Sequence, residues 1–270
     1  MASGSTVNRT FRVATINVHG FYSGSSFGSV NNVNQLVSIL DPLNLDLLAI
    51  EEVCKDENWT KFCEKLCLKY FVFDATYGRI HGNGLASRHP IRSSSSQRSN
   101  LTCSGGTRGI LQCSLDVDHP SICNRLFAVT HLDHLNEDNR LKQIKEFQPH
   151  KNNIDILFGD MNALTRDDYS HQYYQEKILR KREKSSWEKP RFDLTRLITE
   201  EWGYQDAFTK FNPHLKDEQV VTCDYGTRID YIYLHPRLND QWKLIKCQII
   251  DTHGATDHNA IFAEFQLFSD

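Results

Sequence analysis

The sequence predicts a layered α/β domain of two packed sheets flanked by helices. Three observations carry that prediction. Short runs rich in Val, Ile, Phe and Tyr recur from end to end; stretches with apolar residues at helical spacing lie between several of them; and neither an internal repeat nor a Pro/Gly linker divides the 270 residues.

The first strand is "FRVATIN" (11–17), whose alternation buries one face, and the last is "AIFAEFQL" (260–267), which does the same. Between them, strands are predicted at 45–50, 70–75, 83–87, 108–117, 125–131, 154–159, 228–234 and 244–251. In 31–40, Val33, Leu36, Val37 and Leu40 stand at i, i+3, i+4 and i+7, which predicts an amphipathic helix. A second covers 57–68 with Trp59, Phe62, Cys63, Leu66 and Cys67 inward, and a third covers 137–147 on Leu141 and Ile144. A fourth is expected to start near Asp167, and a fifth to cover 192–202. The segment 88–107 is Ser-rich and weakly patterned, and reads as an exposed loop over the sheet ends. Residues 1–10 read as a disordered N-terminal segment, and 11–270 as one domain.

Composition narrows the function classes. The N-terminus lacks an apolar signal core, and no apolar run approaches the roughly 20 residues of a membrane helix, so no stable membrane association is expected. The eight cysteines form no CxxC, and several stand in apolar stretches, which points to buried reduced thiols and an intracellular setting, cytoplasmic or nuclear. Three Asn-x-Thr sequons, at Asn8, Asn58 and Asn100, carry no weight without secretion. A net charge of −3 advertises neither nucleic acid nor an anionic membrane. The local exception is "KILRKREK" (177–184), either a solvated helix face or a cationic rim beside a polyanion, with Lys181 and Arg182 the candidate contacts. Around it, Tyr169, Tyr173, Tyr174 and Trp187 interleave with Arg180, Arg182 and Arg191. That mixture suits base stacking, although a helical hairpin with aromatics in its core is the preferred reading.

Strand after strand ends or begins in a residue suited to metal or phosphate chemistry. Asn17 ends the first, Glu51 and Glu52 end the second, and His131 ends "FAVTH". Asp160 and Asn162 follow "ILFG", Asp230 stands in "RIDYIY", and Asp257 and His258 precede the last strand. Singly each is an ordinary turn residue. Converging on one sheet edge, carboxylates and imidazoles repel among themselves unless a cation or an anionic substrate reconciles them. Metal-assisted attack of water on a phosphate ester suits that set: a hard divalent ion takes one or two carboxylates, an Asp-held imidazole serves as general base, and an amide and a second imidazole donate to the phosphoryl oxygens.

The motifs "TINVHGF", "LLAIEEV", "GNGLASRHPI", "VTHLDH" with "NRLKQI", "LFGDMNA", "RIDYIYL" and "TDHNAIFAEF", in that order over residues 11–267, resemble the endonuclease/exonuclease/phosphatase superfamily. Its members include deoxyribonuclease I-like enzymes, apurinic endonucleases, inositol polyphosphate phosphatases and neutral sphingomyelinases. The resemblance implies a four-layer α/β/β/α sandwich of two mixed sheets and a phosphoesterase using Mg²⁺, with Mn²⁺ as a substitute; it does not choose among nucleic acid, a protein–DNA adduct, a phosphoinositide and a sphingolipid, and nucleic acid is the expected substrate. It implies Glu52 as principal metal carboxylate with Asn17 beside it and Asp257 as a further metal-site carboxylate. His258 takes the place of the general base or phosphate-binding histidine, with Asp230 as its orienting partner. Asp160 takes the place of the group that orients or deprotonates the water, Asn162 that of the phosphate-holding amide, and His131 that of a contact to the scissile phosphate.

Two positions depart from the family pattern: Glu51 stands where many relatives have Gln, and His19 where apurinic endonucleases have Asp, which counts against abasic-site action. Arg166, just after "GDMNALT", is a candidate phosphate contact, while Thr165 with Asp167 and Asp168 reads equally as a capped helix start. Three alternatives stand beside the nuclease reading. They are a phosphoinositide phosphatase or sphingomyelinase-type activity on the same fold, a zinc metallo-β-lactamase-type hydrolase suggested by "VTHLDH" (129–134) but lacking its first His at Val129, and a non-catalytic binding module.

Overall fold

The computed structural model describes residues 9–22, 31–77, 81–103 and 106–268. The strands are β1 (Arg9–Asn17), β2 (Leu47–Cys54), β3 (Tyr70–Tyr77), β4 (His81–Ser87), β5 (Ile91–Cys103), β6 (Gly106–Leu115), β7 (Leu126–His131), β8 (Ile156–Asp160), β9 (Gln205–Asp206), β10 (Asp230–Leu234), β11 (Trp242–Ile250) and β12 (Ala260–Leu267). They form two six-stranded sheets, ordered β11–β12–β1–β2–β4–β3 and β5–β6–β7–β8–β10–β9. Each sheet is mixed: β1 and β2 are parallel in the first, β7 and β8 in the second, and the other pairs are antiparallel. The principal helices are α1 (Val33–Leu40), α2 (Glu57–Lys65), α3 (Pro120–Cys123) and α4 (Glu137–Phe147).

Side-chain alternation along the strands generates the layers. In β1, Phe11 and Val13 point between the sheets, where they meet Leu111, Phe127, Val129, Ile156 and Phe158 from the other sheet. Their neighbours Ala14 and Ile16 point the opposite way, into a second core with Leu36 and Leu40 of α1 and Trp59 and Phe62 of α2. The second sheet repeats the division: Ile232 and Leu234 of β10 face the central core, while Tyr231 and Tyr233 join Ile144 and Phe147 of α4 in a third. Three apolar interfaces between four layers make the α/β/β/α sandwich that the motifs imply.

Three expectations change. The segment 88–107 is not a loop: β5 runs through it as an edge strand paired with β6. Most of its side chains face solvent, so its backbone is paired while its sequence lacks the alternation that marks a half-buried strand. At the N-terminus, Arg9 and Thr10 already pair with Leu267 and Gln266, so the strand takes in the last two residues of the segment expected to be disordered; residues 1–8 lie outside the described residues. The helix expected near Asp167 is a single 3-10 turn, Arg166–Asp168, and the helical stretch that follows starts at His171 behind the cap Ser170, whose Oγ accepts from Tyr173 N at 3.1 Å.

Asp168 is withdrawn from that turn by Arg228. The Arg228 guanidinium is fully buried, donates to Asp168 at 2.8 and 2.9 Å, pairs with Asp206 at 2.6 Å, and lies 4.5 Å from the Tyr231 ring centroid. The cluster joins the 166–168 turn, the start of the 207–211 helix and the residue two before β10. Removing one partner of such a cluster leaves uncompensated buried charge. Arg228→Met should therefore destabilise the protein by about 3–5 kcal/mol, read as a lowered urea midpoint at unchanged m-value; a loss within experimental error would show that the two carboxylates do not depend on it.

Candidate active site

The sequence expectations meet at one end of the sandwich, in a cleft of about 370 Å³ between the ends of the two sheets. The second sheet contributes a row. His131, Asp160 and Asp230 are register partners on the neighbouring strands β7, β8 and β10. The first sheet contributes Asn17 at the end of β1 and Glu52 on β2. His258 enters from the turn before β12, and that turn is tied to β1 by Thr256 Oγ1 donating to Asn17 O at 3.0 Å.

The "GDMN" turn shows how a strand end becomes a site. Gly159 has φ +147°, and a Cβ on it would stand 1.9 Å from Thr130 O, so only glycine lets β8 come this close to β7. Met161 is buried, and its N–H donates to Ile229 O at 2.8 Å. Asn162 takes the left-handed conformation (φ 51°), its backbone N–H donates to Asp160 Oδ1 at 2.9 Å, and its amide donates to Leu132 O at 3.1 Å. The turn thus occupies one oxygen of Asp160. The other, Oδ2, accepts from Asn17 Nδ2 at 3.2 Å and lies 3.5 Å from His131 Nε2 and 3.8 Å from His258 Nε2.

Glu52 owes its position to a bulge. The β2–β4 register shifts between Ile50 and Val53, and Glu52 sits at φ 52°. Its carboxylate accepts from Asn17 Nδ2 at 3.2 Å and faces His131 Nδ1 at 3.8 Å. His19 Nδ1 lies 3.4 Å from Glu52 and 3.8 Å from Asp257, so the two carboxylates converge on one imidazole. Glu51, one residue earlier, goes the other way: it is fully buried beneath the cleft, accepts from Thr15 Oγ1 at 2.7 Å, and its Oε2 has no hydrogen-bond partner. It is therefore not a cleft-facing ligand.

The electrostatics divide the cleft in two. Burial pushes the Glu52 carboxyl up, but the His19 hydrogen bond first, with the Asn17 amide, more than offsets it and holds Glu52 well below the usual carboxylate range. Burial and then the neighbouring Asp230 push Asp160 up to about 7. For His258, burial favours the neutral ring, yet Asp230, 3.0 Å from Nδ1, outweighs it and holds the imidazole well above its ordinary value. Burial and the nearby Arg108 guanidinium push His131 well below its own. Oxygens at Glu52 and Asp257 are of the type a hard divalent cation takes, with His19 Nδ1 facing both, whereas Asn17 turns Nδ2 to Glu52 and its oxygen to the His19 N–H, so Asn17 orients Glu52 instead of offering a ligand oxygen. Asp160, Asp230 and His258 offer ligand atoms within 4.8 Å of one another, but there an imidazolium already balances the carboxylates.

Of the remaining predicted contacts, Lys181 and Arg182 line a recess that adjoins the cleft. Arg166 is engaged elsewhere: its guanidinium donates to Tyr169 O at 2.8 Å and stacks 4.6 Å over the Tyr174 ring, and it is not among the residues lining the cleft. Nor does Thr165 cap the turn; its hydroxyl meets Tyr231 OH at 3.2 Å. Arg108 is the residue that sequence reasoning passed over. It lines the cleft, is 8% exposed, and its Nη2 lies 3.3 Å from His134 Nδ1. A single cation opening the apolar stretch of β6 was its only signal. The zinc reading of "VTHLDH" fails on this geometry: Val129 lies in the central core, and Asp133 accepts from the backbone N–H groups of Leu135 and Asn136 at 2.9 Å.

Two outcomes follow from this geometry. Gly159→Ala should cost at least ~2 kcal/mol, measured by denaturant unfolding, because the added methyl meets the backbone of β7; a neutral result would mean that the β7–β8 approach is not fixed. Glu51 is held well above its ordinary 4.5, by burial first and Asp230 second. A carboxyl raised in the folded state favours folding below the unfolded pKa, and that contribution is lost as pH rises through the folded pKa. Glu51→Gln removes this loss, so in chelator the variant should gain stability relative to wild type as pH climbs from about 4.5 towards about 8. A pH-independent difference would show that Glu51 is not held protonated.

The comparisons agree with this architecture. A sequence model of the Endonuclease/Exonuclease/phosphatase family matches residues 14–258. No curated protein matches in sequence. Among solved structures, an endonuclease/exonuclease/phosphatase from Beutenbergia cavernae DSM 12333 superposes with a TM-score of 0.70 at 16% identity, covering 96% of this chain and 72% of that one. The human Nocturnin catalytic domain with bound sulfate anion gives 0.66 at 13% identity, covering 96% and 94%. ANGEL2, a 2',3'-cyclic phosphatase, gives 0.63 at 16% identity, covering 96% of each chain. With the profile spanning nearly all the strands and the cleft residues from Asn17 to His258, the chain belongs to the Endonuclease/Exonuclease/phosphatase family.

Proposed function

We propose that this protein is a divalent-metal-dependent phosphodiesterase that acts on nucleic acid. The observation that carries the reading is the meeting at Asp160 Oδ2 of Asn17, His131 and His258, from four separate segments, beside an ionised Glu52. One anionic phosphate group can lie against all of these donors at once. Family members that act on phosphate esters, ANGEL2 by its name among them, support the reaction class.

Glu52 and Asp257 would hold Mg²⁺ or Mn²⁺, with Asn17 orienting Glu52 through Nδ2; the ion would supply neutralisation of charge on the phosphoryl oxygens. The chain's own groups do the rest. Asp160, pushed up to about 7, is poised near the working pH of a general base and takes a proton from the attacking water. The water oxygen forms the new bond to phosphorus as the bond to the leaving oxygen breaks. His258, held as an imidazolium by Asp230, donates to a phosphoryl oxygen as charge builds, the phosphate-binding one of its two expected roles, which leaves the proton to Asp160. His131 and the Asn162 amide complete the phosphate cradle, and Arg108 adds a buried cation. No helix among the described residues is long and apolar enough to cross a membrane, and every cysteine with a described side chain is free. Free thiols support an intracellular setting.

Activity on oligonucleotides should disappear in chelator and return with Mg²⁺ or Mn²⁺ but not Zn²⁺. Asp160→Asn and His258→Gln should each lower kcat by about 10²–10⁴-fold. Wild-type rates in both variants would sink the site assignment, and turnover of phosphoinositide or sphingomyelin without any on oligonucleotides would move the substrate to lipid.

A further inference from the structure

Beside the cleft lies a second recess, of about 240 Å³, that shares His134, Asn162, Tyr225 and Ile229 with it. Its walls are unlike the rest of the surface. Trp187 and Tyr225 are 41% and 48% exposed, and their rings meet edge to face, with centroids 4.8 Å apart and planes at 90°. Lys181 Nζ stands 5.2 Å from the Tyr225 centroid and donates to Asp224 O at 3.3 Å. Arg182 lies 6.0 Å from the Trp187 centroid and donates to Glu188 O at 2.9 Å. Ile178 and Ile229 supply an apolar floor. The aromatics of the 169–191 segment therefore divide: Tyr169 and Tyr174 are core, as preferred from sequence, and Trp187 is not.

We propose that Trp187, Tyr225 and Lys181 form a nucleobase subsite, so that the substrate is a nucleic-acid strand whose base next to the scissile phosphate is unpaired. The proposal rests on the phosphodiesterase reading and adds the substrate's form to it. Two half-exposed aromatic side chains beside a cationic recess can stack on a base, and bases of any sequence offer a π-face to them. A base within a duplex has both faces covered, so only a single strand, a frayed end or a loop can use it. A two-chain lipid exceeds a recess smaller than the roughly 300–1,000 Å³ of ordinary ligand pockets. The shared wall of His134 and Asn162 sets the recess directly beside the cleft.

The test compares kcat/KM, with Mg²⁺, for a single-stranded oligonucleotide, the same sequence as a blunt duplex, and a single strand with a tetrahydrofuran abasic residue at the cleaved position. Wild type should prefer the base-bearing single strand. Trp187→Ala or Tyr225→Leu should reduce the ratio of base-bearing to abasic rates by about 10-fold or more, and Trp187→Phe should keep most of it. A ratio unchanged in both variants, or a wild-type preference for duplex, overturns the proposal. If wild type hydrolyses none of these, the phosphodiesterase reading falls separately and binding decides. A single-stranded oligonucleotide should then quench tryptophan fluorescence in wild type and not in Trp187→Phe; equal quenching, or none in wild type, overturns the subsite.

Discussion

Asp160 is where the structure concentrates its constraints. It is 2% exposed, with a second carboxylate, Asp230, on the adjacent strand and a third, Glu51, fully buried beneath the cleft. Charge at that density is tolerable because donors from both sheets face these groups, some of them shared. Asp230 is spent on His258, Glu52 on His19 and Asn17, and one oxygen of Asp160 on the backbone of its own turn. What is left is one carboxylate oxygen with a raised proton affinity, facing three donors. Low dielectric sharpens every one of these differences, so the same burial that makes the cluster costly makes its members chemically distinct.

Two backbone features bring this about. The glycine before Asp160 lets neighbouring strands approach closer than any side chain permits, which aligns His131, Asp160 and Asp230 in one row of the sheet. The bulge in β2 separates two consecutive glutamates, sending one beneath the cleft and the other into it. Both are local departures from ideal strand geometry, and both stand at the site rather than in the body of the sheets.

Much of this was legible in the residues themselves. Period-two alternation in "FRVATIN" and "AIFAEFQL" located the first and last strands, and helix 137–147 coincides with its predicted span because capping, length and apolar spacing all agree there. Polar residues at strand ends marked the cleft before any geometry was known. What sequence could not show were the effects of tertiary context. An edge strand with solvent on most of its side chains looks like a loop, since nothing apolar alternates in "IRSSSSQRSN". Arg166 and Asp168 look alike as free charges at a helix start, and only the fold shows one lying over a tyrosine and the other locked to a buried arginine. Likewise, Glu51 and Glu52 are adjacent and chemically alike, and apart from the family resemblance only the fold separates them.

The central core has a consequence of its own. Asn17 and Glu52 ride on one sheet and His131, Asp160 and Asp230 on the other, above the apolar layer of Phe11, Val13, Phe127, Val129, Phe158 and their neighbours. The spacing across the cleft is therefore set by how the two sheets slide over that layer. Volume changes deep in the sandwich, far from any polar group, alter the alignment of the cleft before they unfold the chain, so this interior is as much a gauge of distance as a source of stability.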